Sequence, residues 1–134
     1  MGCHDVRHVL VVDDNRSLAD SVALLLEDQG FEARVAYSAE EAWTEAKRAP
    51  PEIIILDIRM PGIGGLELAR ALRAVAQLPL LLIAFTGSML AAEHAELRGE
   101  FDAVVRKPAS LDDIIHAMQY AETRMTTRDA LRHR

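Results

Sequence analysis

Five residues of this 134-residue chain have the types and the placement that phosphoryl chemistry uses: Asp13, Asp14, Asp57, Thr86 and Lys107. Each stands directly after, or one residue beyond, a short apolar run: His8–Val12, Ile53–Leu56, Pro79–Phe85 and Ala103–Arg106. Taken singly they have plain structural roles, since Asp13–Asp14 and Thr86 could cap helices and Lys107 could be a solvated lysine. Together they make a different chemistry. Three carboxylates in close quarters repel one another and would have raised pKa values unless a cation sits among them. A hard divalent ion, Mg²⁺, takes oxygen ligands and accepts one or two protein carboxylates plus phosphate oxygen. Asp14 and Asp57 are then expected as direct ligands, with Asp13 acting largely through water. A phosphoryl group in transfer also needs a nucleophile and clamps for its equatorial oxygens. Asp57 is the candidate nucleophile, Lys107 the ion-pairing clamp, Thr86 a hydroxyl donor, and Gly87 leaves its backbone N–H open to an anion.

These residues come together only if the elements between them place them on one edge. His8–Asp13 reads as a buried strand because it is short, apolar and β-branched. Leu18, Val22, Leu25 and Leu26 recur at helical spacing, with Asp14 or Asn15 as N-cap and Gly30 as terminator. Phe31–Ala36 is strand-like, and Ala39, Ala42, Trp43 and Ala46 return to helical spacing behind the cap Ser38, until Pro50–Pro51 stops them. Ile53–Leu56 is apolar enough to be buried on both faces. Ile58 to Gly65 is a loop with one proline and three glycines, followed by a helix marked by Leu66, Ala69 and Leu72. Pro79 to Phe85 is a strand, Ser88 to Arg98 a weaker helical segment, and Ala103 to Arg106 a short strand. Leu111, Ile114, Ile115, Met118 and Ala121 mark a final amphipathic helix. Strand and helix therefore alternate without repeat or linker, as in an α/β domain with a parallel sheet covered on both faces. In such sheets the functional crevice lies beyond the carboxyl ends of the strands.

Composition narrows the rest. Half of the residues are apolar and only 4% aromatic, so Leu, Ile, Val and Ala must build the core. A formal net charge of −6 argues against binding the backbone of nucleic acids. The single cysteine, Cys3, excludes a disulfide framework and a cysteine metal site. No apolar run approaches the roughly 20 residues of a membrane span, and no signal-peptide stretch precedes the first strand. A soluble, cytoplasmic protein is the expectation.

The runs VLVVDDN, IIILDIRMPGIGGLEL, FTG and RKP, in this order and spacing from about Arg7 to Ala121, resemble the response-regulator receiver domain of two-component signalling. The resemblance implies a flavodoxin-like (βα)₅ fold with strand order 2-1-3-4-5 over residues 5–122, leaving 123–134 as a helix extension or tail. It implies that Asp57 takes a phosphoryl group from a sensor histidine kinase, a histidine phosphotransfer protein or a small phosphodonor. The protein would then be a signalling acceptor and not an enzyme. It further implies that the backbone carbonyl of Arg59 is a third protein ligand to Mg²⁺ and that Lys107–Pro108 is a cis peptide. In the family, movement of the residue at Thr86 is followed by an aromatic three positions before the lysine. Here that position is Val104, a departure from the family's aromatic. The Arg59 side chain is expected at the pocket mouth, where it would affect phosphate lifetime.

Two rivals were open to the same residues. A haloacid-dehalogenase-like phosphatase also uses an aspartate nucleophile, but wants a second acid two residues on, where this chain has Arg59. A receiver-like scaffold independent of phosphorylation would be expected to have lost part of the acidic, threonine and lysine set. As for output, the arginine-rich residues Glu122 to Arg134 are too few to form a DNA-binding domain. An unidentified protein target, or dimerisation, through the Ser88 to Tyr120 surface is the family-based expectation, with no direct contact to nucleic acid or membrane.

Overall fold

In a computed structural model, the residues described are 7–62, 64–76, 79–87 and 99–132, with 126–132 described as backbone only. Strands β1 (His8–Val12), β2 (Glu32–Ala36), β3 (Ile53–Asp57), β4 (Leu81–Thr86) and β5 (Ala103–Arg106) alternate with helices. These are α1 (Arg16–Asp28), α2 (Ala39–Arg48), α3 (Gly65–Val75) and α4 (Leu111–Arg132). The segment expected to be helical from Ser88 to Arg98 lies outside the described residues.

All strand pairs are parallel, in the order β2-β1-β3-β4-β5. Such a sheet forms because alternate residues of the central strands are apolar on both faces. Val9, Val11, Ile53, Ile55, Ile83 and Phe85 face α1 and α4, where they meet Leu26, Ile114 and Met118. Leu10, Val12, Ile54, Leu56, Leu82 and Ala84 face α2 and α3, where they meet Ala42, Leu68 and Leu72. Burying each aliphatic side chain contributes about 1.5–3 kcal/mol, so this two-sided core fixes the register that carries the strand ends.

Local chemistry sets the helix boundaries. Asn15, and not Asp14, caps α1, its Oδ1 accepting the Leu18 N–H at 3.1 Å. Ser38 Oγ does the same for Glu41 N–H at 3.1 Å, opening α2. Gly30 follows α1 at φ +96°, a left-handed conformation that suits glycine. Leu25, expected on the buried stripe of α1, is instead 42% exposed, because that stripe is Ala19, Val22, Ala23 and Leu26. The final helix runs without a break past the expected core boundary at residue 122, to Arg132.

Two features bear directly on the site. β1 lies between β2 and β3, so the chain leaves β1 in one direction and returns on the other side, opening a crevice at the carboxyl ends of β1 and β3. The loop after β3 is then drawn back against its own strand. A Cβ at Gly65 would lie 2.7 Å from the Ile58 Cα, so only glycine lets α3 start this close to the residue after Asp57.

Candidate functional site

Every residue expected to carry the chemistry lies at the carboxyl edge of the sheet. Asp57 is the last residue of β3, Thr86 the last of β4, Asp13 and Asp14 follow β1, and Lys107 follows β5. The ladder that aligns Asp57 with Phe85, and Thr86 with Arg106, brings three of these strand ends level. Lys107 N–H donates to Thr86 O at 2.7 Å, extending that ladder past the strands.

Carboxylate oxygens of Asp13, Asp14 and Asp57 lie within 4.8 Å of one another. Asp13 and Asp57 are buried, at 1% and 4% exposure, whereas Asp14 is exposed. Their engagements differ. Asp13 Oδ1 accepts Asn15 N–H at 3.0 Å and its Oδ2 takes the Lys107 ammonium at 2.7 Å. Asp57 Oδ1 accepts Arg59 N–H at 3.1 Å, and its Oδ2 is 3.6 Å from Lys107 Nζ. Asp14 makes no hydrogen bond or ion pair among the described residues, which leaves both its oxygens to a cation. The donor set fits a hard divalent ion: buried and exposed carboxylates converge in one mouth, with a single lysine against several negative charges.

Burial pushes the Asp57 carboxyl up to about 6, and the nearby Asp13 charge adds to the rise, against the opposing pull of the Arg59 N–H and of Lys107. A carboxylate desolvated in this way is held costly until positive charge joins it. Lys107 supplies part of that charge. Its ammonium also lies 5.1 Å from the centroid of the Phe85 ring, a cation–π contact. Sequence reasoning passed over Phe85, counting it only as a strand residue.

The Lys107–Pro108 peptide is cis, as the resemblance implied. Thr86 is buried at 1% exposure, within the same edge as Asp57. Gly87 is exposed beside it. Arg59, two residues after Asp57, is exposed. Val104 is half-buried in β5 and borders a groove of about 530 Å³ whose walls include Ala103, Ala117 and Tyr120, so no aromatic side chain stands at this position of the strand.

Comparison with known proteins agrees with this geometry. The family model described as the response regulator receiver domain matches residues 9–119. The sensory transduction protein RegX3 of Mycobacterium tuberculosis is 35% identical over 107 residues, which span 80% of this chain and 42% of that protein. The DNA-binding response regulator MtrA of Mycobacterium leprae is 32% identical over 77 residues, 58% of this chain and 34% of the relative. The chain thus spans less than half the length of these relatives. Among solved structures, chemotaxis protein CheY4 of Vibrio cholerae superposes with a TM-score of 0.81 at 26% identity, covering 87% of this chain and 98% of that one. A response regulator of Burkholderia pseudomallei, solved with a phosphorylated aspartic acid, a calcium ion and citrate, gives a TM-score of 0.80 at 26% identity, over 96% of this chain and 75% of that one.

Proposed function

The chain belongs to the response regulator receiver family, and from that membership we propose that it accepts a phosphoryl group on Asp57 and carries it as a reversible signal. It is the receiver domain of a response regulator in two-component signalling; the acceptor residue, the cation and the donor are the finer reading. The observation that carries this reading is the convergence of Asp57, Asp13 and Asp14 within 4.8 Å, with Lys107 3.6 Å from Asp57.

In the proposed step an Asp57 carboxylate oxygen attacks the phosphorus of a phosphohistidine. The P–O bond forms as the P–N bond breaks, and the imidazole leaves, taking a proton from water. Asp13, Asp14, Asp57 and the Arg59 carbonyl would hold Mg²⁺, which offsets charge on the phosphoryl oxygens. Lys107 pairs with the phosphoryl group from the opposite side, while the Thr86 hydroxyl and the Gly87 N–H donate to it. The acceptor does not turn over a metabolite, so the chain acts as a signalling domain and not as an enzyme. The bound phosphorylated aspartate and calcium ion of the Burkholderia pseudomallei regulator support this chemistry in a relative.

The donor would be a sensor histidine kinase or a histidine phosphotransfer protein in the cytoplasm. No described helix is long and apolar enough to cross a membrane. The receiver unit would span 5–122, with 123–134 an extension. A protein target or a second copy would read the phosphorylated state through the face that includes β5 and α4, by preferring one of two arrangements. Incubation with Mg²⁺ and acetyl phosphate, followed by intact-mass measurement, tests the central step. One acid-stable, base-labile adduct on the wild type and none on Asp57→Ala is expected. Labelling of the variant, or none of the wild type, would overturn it, and unchanged partner binding by Asp57→Ala would favour a phosphorylation-independent scaffold.

A further inference from the structure

The loop bearing Asp13 and Asp14 is tied at both of its ends to consecutive residues of one neighbouring segment. At the first residue of the acidic pair, Asp13 N–H donates to Ala36 O at 3.1 Å, carrying the β1–β2 ladder one step past Val12 and Ala36. Beyond the pair, Tyr37 reaches over to α1. Its hydroxyl donates to Asp20 Oδ1 at 2.6 Å, and the Arg16 guanidinium carbon lies 4.3 Å from its ring centroid. Arg16 and Asp20 are one helical turn apart, so a single ring can meet both. Tyr37 is itself anchored, because its N–H donates to Glu41 Oε1 at 2.9 Å while Ser38 caps the same turn of α2.

Between these anchors stands Asp14, exposed and without a partner among the described residues. One residue beyond Asn15 is Arg16, the cation nearest to the acidic pair in sequence. A long arginine at this place has two options: to lean over the carboxylates, where it would compete with a metal ion, or to stack elsewhere. The Tyr37 ring gives it the second. The Asp20 hydrogen bond fixes the ring in that position, and it raises the Tyr37 hydroxyl pKa above its ordinary value, so that the phenol stays a donor.

Resting on the reading of the acidic cluster as a cation site, we infer that Tyr37 is a positioning residue for that cation: it ties the first turn of α1, just beyond the Asp13–Asp14 loop, to the end of β2 and holds Arg16 away from the carboxylates. Tyr37 touches neither the ion nor the phosphoryl group. Because the ring also packs against the core beside α1, its removal costs stability as well, and the effect on cation affinity is the part that depends on Arg16.

Calorimetric titration of Mg²⁺ into the purified chain tests this, with thermal melting of each variant as the companion measurement. Tyr37→Phe keeps the ring and loses the Asp20 bond, so roughly three-fold weaker binding is expected for one exposed hydrogen bond. Tyr37→Ala loses the ring as well and should weaken binding by about ten-fold, adding the stacking contribution. Adding Arg16→Ala to Tyr37→Ala should recover much of that loss, a coupling that general loosening cannot produce. Ser38→Ala removes the cap of the same turn and should lower the melting temperature while leaving Mg²⁺ affinity in place. Equal Mg²⁺ affinity in wild type and Tyr37→Ala would overturn the inference. So would an Arg16→Ala/Tyr37→Ala chain no tighter than Tyr37→Ala, or Ser38→Ala weakening Mg²⁺ as much as Tyr37→Ala. A wild type that takes up no Mg²⁺ would instead overturn the reading of the acidic cluster on which the inference rests.

Discussion

The Lys107 ammonium lies 2.7 Å from Asp13 Oδ2 and 3.6 Å from Asp57 Oδ2, so the lysine is paired more closely with the neighbouring acid than with the proposed acceptor. A cation entering the cluster meets that positive charge, whereas an incoming phosphoryl group needs it. The two effects have opposite signs. Lys107→Met should raise Mg²⁺ affinity several-fold, since a charge at this range contributes on the order of 1 kcal/mol in a partly solvated mouth. The same substitution should slow phosphorylation by acetyl phosphate at least ten-fold, roughly what one charge-assisted contact supplies. Calorimetry reads the first and intact-mass time courses the second; loss of both together would show that Lys107 only supports the fold.

The raised Asp57 carboxyl gives a pH dependence with a defined direction. Its folded pKa, about 6, stands above the ordinary carboxylate value, so the folded state binds the proton more tightly than the unfolded chain. Stability from this group is therefore complete below about pH 4 and is lost as pH rises through about 6. Without divalent cation, in chelator, the wild type should lose on the order of 1–2 kcal/mol between pH 5 and 8 relative to Asp57→Asn. Urea unfolding at both pH values checks it. The variant should be more stable than wild type at pH 8, and Mg²⁺ should erase much of that difference by supplying the missing positive charge.

The strand ends were legible in the sequence because parallel strands buried on both faces are unbroken apolar runs, and Asp13, Asp57 and Thr86 interrupt theirs abruptly. Ser38 and Gly30 marked helix boundaries through chemistry that is local to them. Strand order came from family resemblance alone, since periodicity says nothing of which strand lies beside which. Leu25 was misplaced because a short helix with five consecutive apolar residues, Val22 to Leu26, fits more than one stripe. Tyr37 gave no signal in the sequence, since its tie to α1 spans 17 positions.

Asp102 was equally invisible, an acid two residues beyond a glutamate, and yet it is only 3% exposed. Its Oδ2 accepts Leu82 N–H at 2.9 Å and the Arg73 guanidinium at 3.2 Å, and Arg73 also donates to Leu80 O and Glu100 O, both at 3.1 Å. This latch joins α3 to the amino ends of β4 and β5, opposite the acidic cluster. Arg73→Ala removes one ion pair from a buried carboxylate that keeps the Leu82 N–H, and frees the Leu80 and Glu100 carbonyls, so it should destabilise the fold by about 1–3 kcal/mol. Mg²⁺ affinity measured well below the melting temperature should stay at the wild-type value, because the site lies at the other end of the strands.

Arg59 links the proposed acceptor to the loop after β3 through its backbone. Its N–H donates to Asp57 Oδ1 at 3.1 Å, while its side chain is exposed and expected over the acidic cluster. Removing the side chain leaves the backbone bond in place, so the acceptor geometry should persist and phosphorylation by acetyl phosphate should proceed. Hydrolysis is another matter, because the water that attacks phosphorus must come through this mouth. A guanidinium there would slow it either by pairing with the phosphoryl oxygens, which it can grip in bidentate fashion, or by obstructing the approach. Both routes give the same direction: Arg59→Ala should shorten the phosphate lifetime, by roughly two- to ten-fold for a partly solvated contact. Arg59→Lys separates the routes, since lysine keeps the charge without the planar fork and without the same bulk over the phosphorus. Recovery of the wild-type lifetime by lysine would assign the effect to charge, and a lifetime as short as that of the alanine variant would assign it to the shape of the guanidinium. Identical dephosphorylation rates for wild type and Arg59→Ala would remove the side chain from the chemistry and leave only its backbone in the site.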